Sequence, residues 1–253
     1  SERVDPSRHP LPWIKRGLRL LAYAQADRVV VQTERIRRFF PAWIKSIDII
    51  PNPAPITNQY ANPIQPDVTG RFRVVAVGRL DDQKGFDILI EAFATVALKH
   101  PVWDLVIFGE GSERPALEAR IAKHRLANRI FLPGLTKKPE EEMSASHIFG
   151  FSSRYEGFPN ALAEAIAIGL PAVALEGVSG VEELIVPEQT GLLVSEKGTD
   201  FARALDRLMQ DASLRQAMGQ AARQHARHWA PGRIYNLWET LLSSTARPPL
   251  LDH

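Results

Sequence analysis

SSRYEGFPNALAEAIAIGLPAVA, residues 152–174, joins a charged loop to a run that is Ala, Leu or Ile at seven of the eight positions from Ala161 to Ile168. Such a run has strong helix propensity and is apolar nearly all round, which predicts a buried helix. Asn160 can cap it, Pro159 fixes its entry, Gly169 suits a left-handed stop and Pro171 prevents continuation. One carboxylate, Glu164, sits inside. A lone buried carboxylate costs several kcal/mol, order of magnitude, unless a partner or a polar cavity receives it. A second, Glu156, lies in the loop Tyr155-Glu156-Gly157-Phe158, just outside a helix N-terminus whose N–H groups attract anions. The layout suits a ligand with a phosphate flanked by hydroxyl groups, since carboxylates accept hydrogen bonds from hydroxyls. An N-capping acid plus a core ion pair is the competing reading.

Working outward, the chain alternates strands and helices on both sides of this segment. Strands are expected at Phe72–Val77, Trp103–Phe108, Arg129–Leu132, Ile148–Phe151, Ala172–Leu175 and Gly191–Val194. Helices fall between them, and further helices occupy most of Thr199–Trp229 and Ile234–Ser244. Repeated β-α units predict an α/β fold with a Rossmann-like, doubly wound parallel sheet. After the first of these strands come Gly78-Arg79-Leu80 and the polar loop Asp81–Gly85, then a helix. Strand, loop, helix is how doubly wound folds bind phosphates, outside the carboxyl ends of their strands. The Gly-x-Gly-x-x-Gly fingerprint is absent, so a dinucleotide is not favoured. Arg79 and Lys84 are the cations of that loop, and Gly78 and Gly85 allow close backbone approach. Solvated loop charge is the plain alternative. Asp81 and Asp82 form only a weak metal signal.

The N-terminal part is organised differently. After a loop-like SERVDPSRHP, Trp13–Gln25 has apolar residues at Ile14, Leu18, Leu21 and Ala22, a helical stripe. A β-branched strand at Arg28–Gln32, a helix at Glu34–Ile44 and a strand at Ile47–Ile50 follow. Two strands and two helices in about 50 residues bury little core, so this segment is expected to be mobile, to self-associate or to dock on another polypeptide. The second helix has Arg35, Arg37, Arg38 and Lys45 around Phe39, Phe40 and Trp43. A basic, aromatic helix can lie on an anionic membrane surface, giving a peripheral contact through residues 33–45. A core-facing aromatic side with a solvated basic face is the alternative. Pro51–Gly70, rich in Pro, Asn and Gln, reads as a linker.

Composition narrows the classes. The 253 residues contain no cysteine, which excludes disulfides, thiolate metal sites and cysteine nucleophiles, and agrees with a reducing, cytoplasmic setting. The net charge of +2 divides into +5 over residues 1–50 and −3 over the rest. No basic blocks are interleaved with stacking aromatics, so nucleic acid is not expected as a partner. No apolar run approaches the roughly 20 residues that span a bilayer.

The run EGFPNALAEAIAIGLP resembles the Glu-x7-Glu signature of the retaining glycosyltransferases of family 4 (glycosyl transferases group 1), which have the GT-B fold of two Rossmann-like domains. GRLDDQKG, FGEGSE and FLPG stand in the expected order, and the resemblance runs from about Ala26 to Val194. It implies that residues 1–54 are a remnant of the N-terminal acceptor-binding domain, an incomplete second Rossmann-like domain. Residues 55–70 would be a linker and 71–228 the nucleotide-sugar donor domain, with 229–253 a helix crossing back and a tail. On that expectation Trp238 and Leu241 seek a surface outside this chain.

By the same resemblance, Arg79 and Lys84 neutralise the donor diphosphate, Glu156 binds hydroxyls of the donor sugar and Glu164 those of the ribose. These make Glu156, Arg79 and Lys84 the catalytic set. Gly78, Gly109, Leu135, Gly157, Phe158, Pro159, Asn160, Leu162 and Glu164 form the donor-binding set, Leu135 meeting the base through its backbone. The loop GVSGVEELI departs from the family pattern at Ser179, where a glycine is usual, and keeps its acid at Glu183. The implied partners are a nucleotide-diphosphate sugar, with UDP favoured, and a glycan or lipid-linked acceptor; no metal and no other cofactor are implied. His9, His100, His124, His147, His225, His228 and His253 match no family motif and read as surface or packing histidines.

Three other readings compete. Two carboxylates about 5 to 10 Å apart could flank a glycosidic bond in a hydrolase, though such a site has no use for Arg79 and Lys84. A nucleotide-sugar-binding module without turnover of its own is the second, and a GT-B epimerase or phosphorylase the third.

Overall fold

The computed structural model describes residues 12–195 and 198–245. The opening loop, His9, His253 and the end of the tail lie outside the described residues. Six strands form one sheet: β3 (Phe72–Val77), β4 (Trp103–Phe108), β5 (Ile130–Gly134), β6 (Ile148–Phe151), β7 (Ala172–Leu175) and β8 (Gly191–Val194). Their order is β5-β4-β3-β6-β7-β8, and every neighbouring pair is parallel. The helices α3 (Phe86–Val96), α4 (Arg114–Lys123), α5 (Pro139–Ser144), α6 (Asn160–Ile168) and α7 (Val181–Leu184) are the crossovers, and α8 (Gly198–Gln210) and α9 (Ala212–His225) follow β8. Strands covered on both faces need continuous apolar sequence. Ile148–Phe151 and Ala172–Leu175 supply it, being buried throughout. The expected doubly wound parallel sheet is therefore present.

Chain order reverses between β3 and β6, which are adjacent but far apart in sequence. At such a switch point the loops leaving two neighbouring strands diverge and open a crevice. Here those loops are residues 78–85 and 152–159, the two charged stretches singled out above.

His147 fixes the base of this pair of strands. Its Nδ1 accepts the Arg73 N–H of β3 at 2.9 Å, so Nε2 carries the proton and donates to the Gln65 carbonyl at 2.7 Å. Burial holds the imidazole below its ordinary 6.5, against the pull of the Gln65 carbonyl. The unfolded chain then binds the proton more readily than the folded one, so this group contributes no instability above 6.5 and a growing one as pH falls below it. Chemical denaturation at pH 7.5 and 5.5 should show wild type losing up to about 1.4 kcal/mol more than His147→Gln over that interval. An equal loss in both proteins would remove His147 as the cause.

The N-terminal segment contains α1 (Trp13–Ala24), β1 (Val29–Val31), α2 (Glu34–Arg37) and β2 (Ile47–Ile49), with β1 and β2 parallel. Two expectations are corrected here. The helix begun at Glu34 ends at Arg37 and does not run to Ile44. Pro41 lacks an N–H and disfavours helical geometry at Phe40, so the chain turns instead. Its aromatics consequently divide: Phe40 packs on Tyr23 with ring centroids 5.4 Å apart, whereas Phe39 and Trp43 are exposed. The packed face of α1 carries Leu20 and Tyr23, while Leu18 and Leu21 of the expected stripe are exposed.

The last helix, α10 (Pro231–Thr245), gives the third correction. Ile234 and Leu241 form a buried cluster with Val30 of β1 and Ile50, and Trp238 packs against it. The surface that Trp238 and Leu241 were expected to lack is supplied by this chain's own N-terminal strands. No described helix is long and apolar enough to cross a membrane.

Candidate functional site

The site is built on the two loops of the switch point. Asp81 opens a single 3-10 turn, Asp82–Lys84, by accepting the Lys84 N–H, and its other oxygen lies 3.1 Å from Arg79. Asp82 is exposed and 3.5 Å from Arg154. The two acids are thus a cap and a surface partner, and among the described residues no group of three or more His, Cys, Asp or Glu could hold a metal. The loops are laced together. Arg154 N–H donates to the Gln83 carbonyl at 2.8 Å, its guanidinium reaches the Asp82 carbonyl and Asp87, and the Ser152 hydroxyl donates to the Lys84 carbonyl.

This lacing delivers Lys84 to Glu156. The Lys84 Nζ lies 2.6 Å from Glu156 Oε1, and Gln83 Nε2 donates to Oε2 at 3.2 Å and to the Tyr155 carbonyl at 3.0 Å. Both charges are well covered, their side chains 19% and 9% exposed. Arg79 stands at 75% exposure beside them. A cavity of about 650 Å³ opens here, lined by Arg79, Gln83, Glu156, Gly157, Phe158 and Asn160, among others. Gln32 and Asn52 of the N-terminal segment also line it. An exposed guanidinium, a nearby paired ammonium and a helix start can hold an anion, and Glu156 can accept hydrogen bonds from hydroxyls next to it.

The structure places the expected residues differently. Arg79, Glu156, Gly157, Phe158 and Asn160 line the cavity, and Lys84 adjoins it through Glu156. Gly78 and Gly109 are outside the cavity lining and tie neighbouring strand ends together, Gly78 N–H donating to the Phe108 carbonyl and Gly109 N–H to the Gly134 carbonyl. Leu135 is exposed at the end of β5. Leu162 is corrected: it is fully buried in the core and presents nothing to a ligand. Asn160 is also reassigned. It is the first helical residue, Pro159 holds the cap position without a side-chain bond, and the Asn160 side chain bonds elsewhere.

Glu164 is half-buried on α6 and has no hydrogen-bond or ion-pair partner among the described residues. Burial, and secondarily the charge of Glu140, push its carboxyl above the ordinary range. Glu140 in turn accepts a hydrogen bond from Thr57. Neither ion pair nor hydrogen bond neutralises Glu164, which leaves the polar-ligand reading open and removes the core-ion-pair one.

Gln32, Asn52 and Gln83 escaped the sequence reading. A signal existed for Gln32, a polar residue at the carboxyl end of a β-branched strand, where ligand residues of such folds stand. Ser179, the departure from the family pattern, is buried and bonds the Thr33 hydroxyl at 2.7 Å, while Glu183 accepts the Glu34 N–H at 3.1 Å. Both have become docking contacts for the N-terminal segment. His100 and His124 bond Asp206 and Glu91.

Comparison with known proteins identifies the family and the fold. Residues 62–225 match the family described as glycosyl transferases group 1. The chain is 30% identical over 233 residues to the amylovoran biosynthesis glycosyltransferase AmsD of Erwinia amylovora, covering 90% of this chain and 65% of that protein. It is 29% identical over 212 residues to the N-acetylgalactosamine-N,N'-diacetylbacillosaminyl-diphospho-undecaprenol 4-alpha-N-acetylgalactosaminyltransferase of Campylobacter jejuni, covering 82% and 57%. Among solved structures, Anabaena HepE in complex with UDP and glucose aligns with a TM-score of 0.83 at 22% identity, over 95% of this chain and 70% of that one. The chain spans 65%, 45% and 24% of three of the curated relatives it matches. It belongs to the glycosyl transferases group 1 family, and its sheet is one Rossmann-like half of the GT-B fold.

Proposed function

We propose, for this member of the family, that the cavity receives a nucleotide-diphosphate sugar and that a hexosyl or N-acetylhexosaminyl group passes from it to a glycan or lipid-linked acceptor with retention of configuration. The observation that carries the reading is a cavity of about 650 Å³ at the switch point, lined by Arg79 and Glu156, with the Lys84 ammonium 2.6 Å from Glu156. A UDP-sugar is the favoured donor, in keeping with the UDP held by the Anabaena neighbour. A lipid-linked acceptor follows the Campylobacter relative's substrate.

The chemistry asks for little more than fixed charge. The bond between the anomeric carbon and the diphosphate oxygen breaks, leaving its electron pair on the phosphate. A new bond forms from the acceptor oxygen on the same face, and the acceptor proton goes to the departing phosphate. Cations set in place beforehand stabilise that developing charge at no cost of reorganisation. Arg79 can fork onto two phosphate oxygens, and Lys84 acts as a point charge already near the site. Glu156 accepts donor hydroxyls, and Glu164 the ribose pair.

Binding of donor without turnover by this chain alone is the second reading, favoured by the small share of the cavity wall that the N-terminal segment provides. Calorimetric titration with UDP, GDP and ADP tests the donor assignment common to both. One nucleotide should bind, and Glu164→Ala should weaken it about tenfold or more, the value of charge-assisted hydrogen bonds to a diol. Binding that survives Glu164→Ala unchanged would remove the ribose role, and no binding of any of the three would remove the donor site.

A further inference from the structure

Three carboxamide side chains lining the cavity, Gln32, Asn52 and Asn160, are bonded head to tail. Gln32 Nε2 donates to Asn52 Oδ1 at 2.6 Å, and Asn52 Nδ2 donates to Asn160 Oδ1 at 2.8 Å. Gln32 follows β1 and Asn52 follows β2, so both stand at the carboxyl ends of neighbouring parallel strands and face one crevice. All three residues line it.

The direction of this chain of bonds has a consequence. A side-chain amide has one accepting oxygen and one donating NH2 group. With Asn160 Oδ1 occupied by Asn52, Asn160 keeps its Nδ2 donors for the cavity, the polarity that an anion beside Arg79 requires. The N-terminal segment is docked on the donor half beside this chain of bonds. Thr33 bonds Ser179, the Glu34 N–H bonds Glu183, and a Cβ on Gly180 would come within 2.5 Å of Pro159 and 3.3 Å of Thr33. The strand ends are therefore docked directly against the entry to α6.

We infer that Asn52, itself held by Gln32, is a positioning residue that sets the Asn160 amide with its NH2 group toward the donor diphosphate. Donor affinity is then controlled from the N-terminal segment by a residue that does not touch the phosphates. The inference rests on the donor assignment above.

A double-mutant cycle on the 253-residue chain tests it, with Asn52→Ala, Asn160→Ala and both together, titrated with the nucleoside diphosphate that wild type binds and with the corresponding nucleoside. Asn160→Ala should weaken the diphosphate about tenfold and Asn52→Ala about threefold, as expected for losing and for loosening one charge-assisted hydrogen bond. The double variant should bind as Asn160→Ala does, because Asn52 acts only through Asn160. Nucleoside affinity should stay within about twofold throughout, since the phosphates alone are affected. Multiplying effects in the cycle, an unchanged diphosphate affinity in Asn52→Ala, or an equal loss for diphosphate and nucleoside would each overturn the positioning role while leaving the donor site standing. Failure of wild type to bind any of UDP, GDP or ADP would bring down the donor site and the positioning role together. Thermal unfolding of each variant confirms that the comparison is between folded proteins.

Discussion

Lys84→Met should lower the unfolding free energy by about 3 kcal/mol and abolish nucleoside-diphosphate binding, and adding Glu156→Gln should restore the first and not the second. The reason lies in the pairing at 2.6 Å of two covered charges. Removing the ammonium strands the Glu156 carboxylate, its side chain 9% exposed, with only the Gln83 amide left to satisfy it. A stranded buried charge is costly, whereas a neutral pair in the same space is nearly neutral overall. Function behaves differently. A glutamine at position 156 relieves the stranded charge but returns no cation to the phosphates. In a turnover assay of a protein with both domains, either single change should reduce the rate by about 10² to 10³, the usual effect of removing one charge-stabilising group. Denaturation midpoints of the two variants against wild type check the first half, and calorimetry the second. Equal stability of Lys84→Met and wild type would mean the pair contributes nothing to the fold.

Gly109→Ala should be the most damaging single methyl in the donor half, costing more than about 3 kcal/mol and taking nucleotide binding with it. A Cβ there would lie 1.8 Å from the Gly78 carbonyl oxygen and 2.9 Å from its carbon. The obstacle is backbone, so no rotamer relieves it. Gly78 opens the loop that carries Arg79 and Lys84, and Leu80 N–H bonds the Glu110 carbonyl one residue beyond Gly109. Displacing that contact moves the cations. Gly177→Ala is the comparison: its φ of +74° is unfavourable to alanine but nothing lies within 4 Å of the new Cβ. It should cost only about 1 kcal/mol, from backbone strain alone, and leave binding intact. Similar losses in the two variants would show that φ, not the approach of the two loops, decides.

Much of this architecture is readable from residues 152–174 because the information there is local. Seven apolar residues in eight positions, a Gly169 with φ of +83° and a following Pro171 place α6 and end it. Its neighbours are equally plain, since buried parallel strands need apolar runs. What the sequence conceals is long-range. Lys84 and Glu156 are 72 residues apart, and Asn52 and Asn160 are 108 apart, so their bonds follow from strand order and not from spacing. Ser179 looked like a weakened donor loop until its bond to Thr33, 146 residues away, gave it a docking role. The α2 boundary is a different kind of miss. Arg35, Arg37 and Arg38 favour a continuing helix, but Pro41 overrides that preference, and the amphipathic helix expected over residues 34–44 is one turn followed by a bend.

The central claim is that Arg79, Lys84 and Glu156 form the phosphate and sugar end of a donor site. Its most direct test is a crystal structure of the chain with the nucleoside diphosphate selected by titration. The phosphates should lie within about 3 Å of the Arg79 guanidinium and the Lys84 ammonium, with Nζ shared between phosphate and Glu156 or released from it. A diphosphate bound away from this cavity, with the Lys84–Glu156 pair closed as it stands here, would contradict the account.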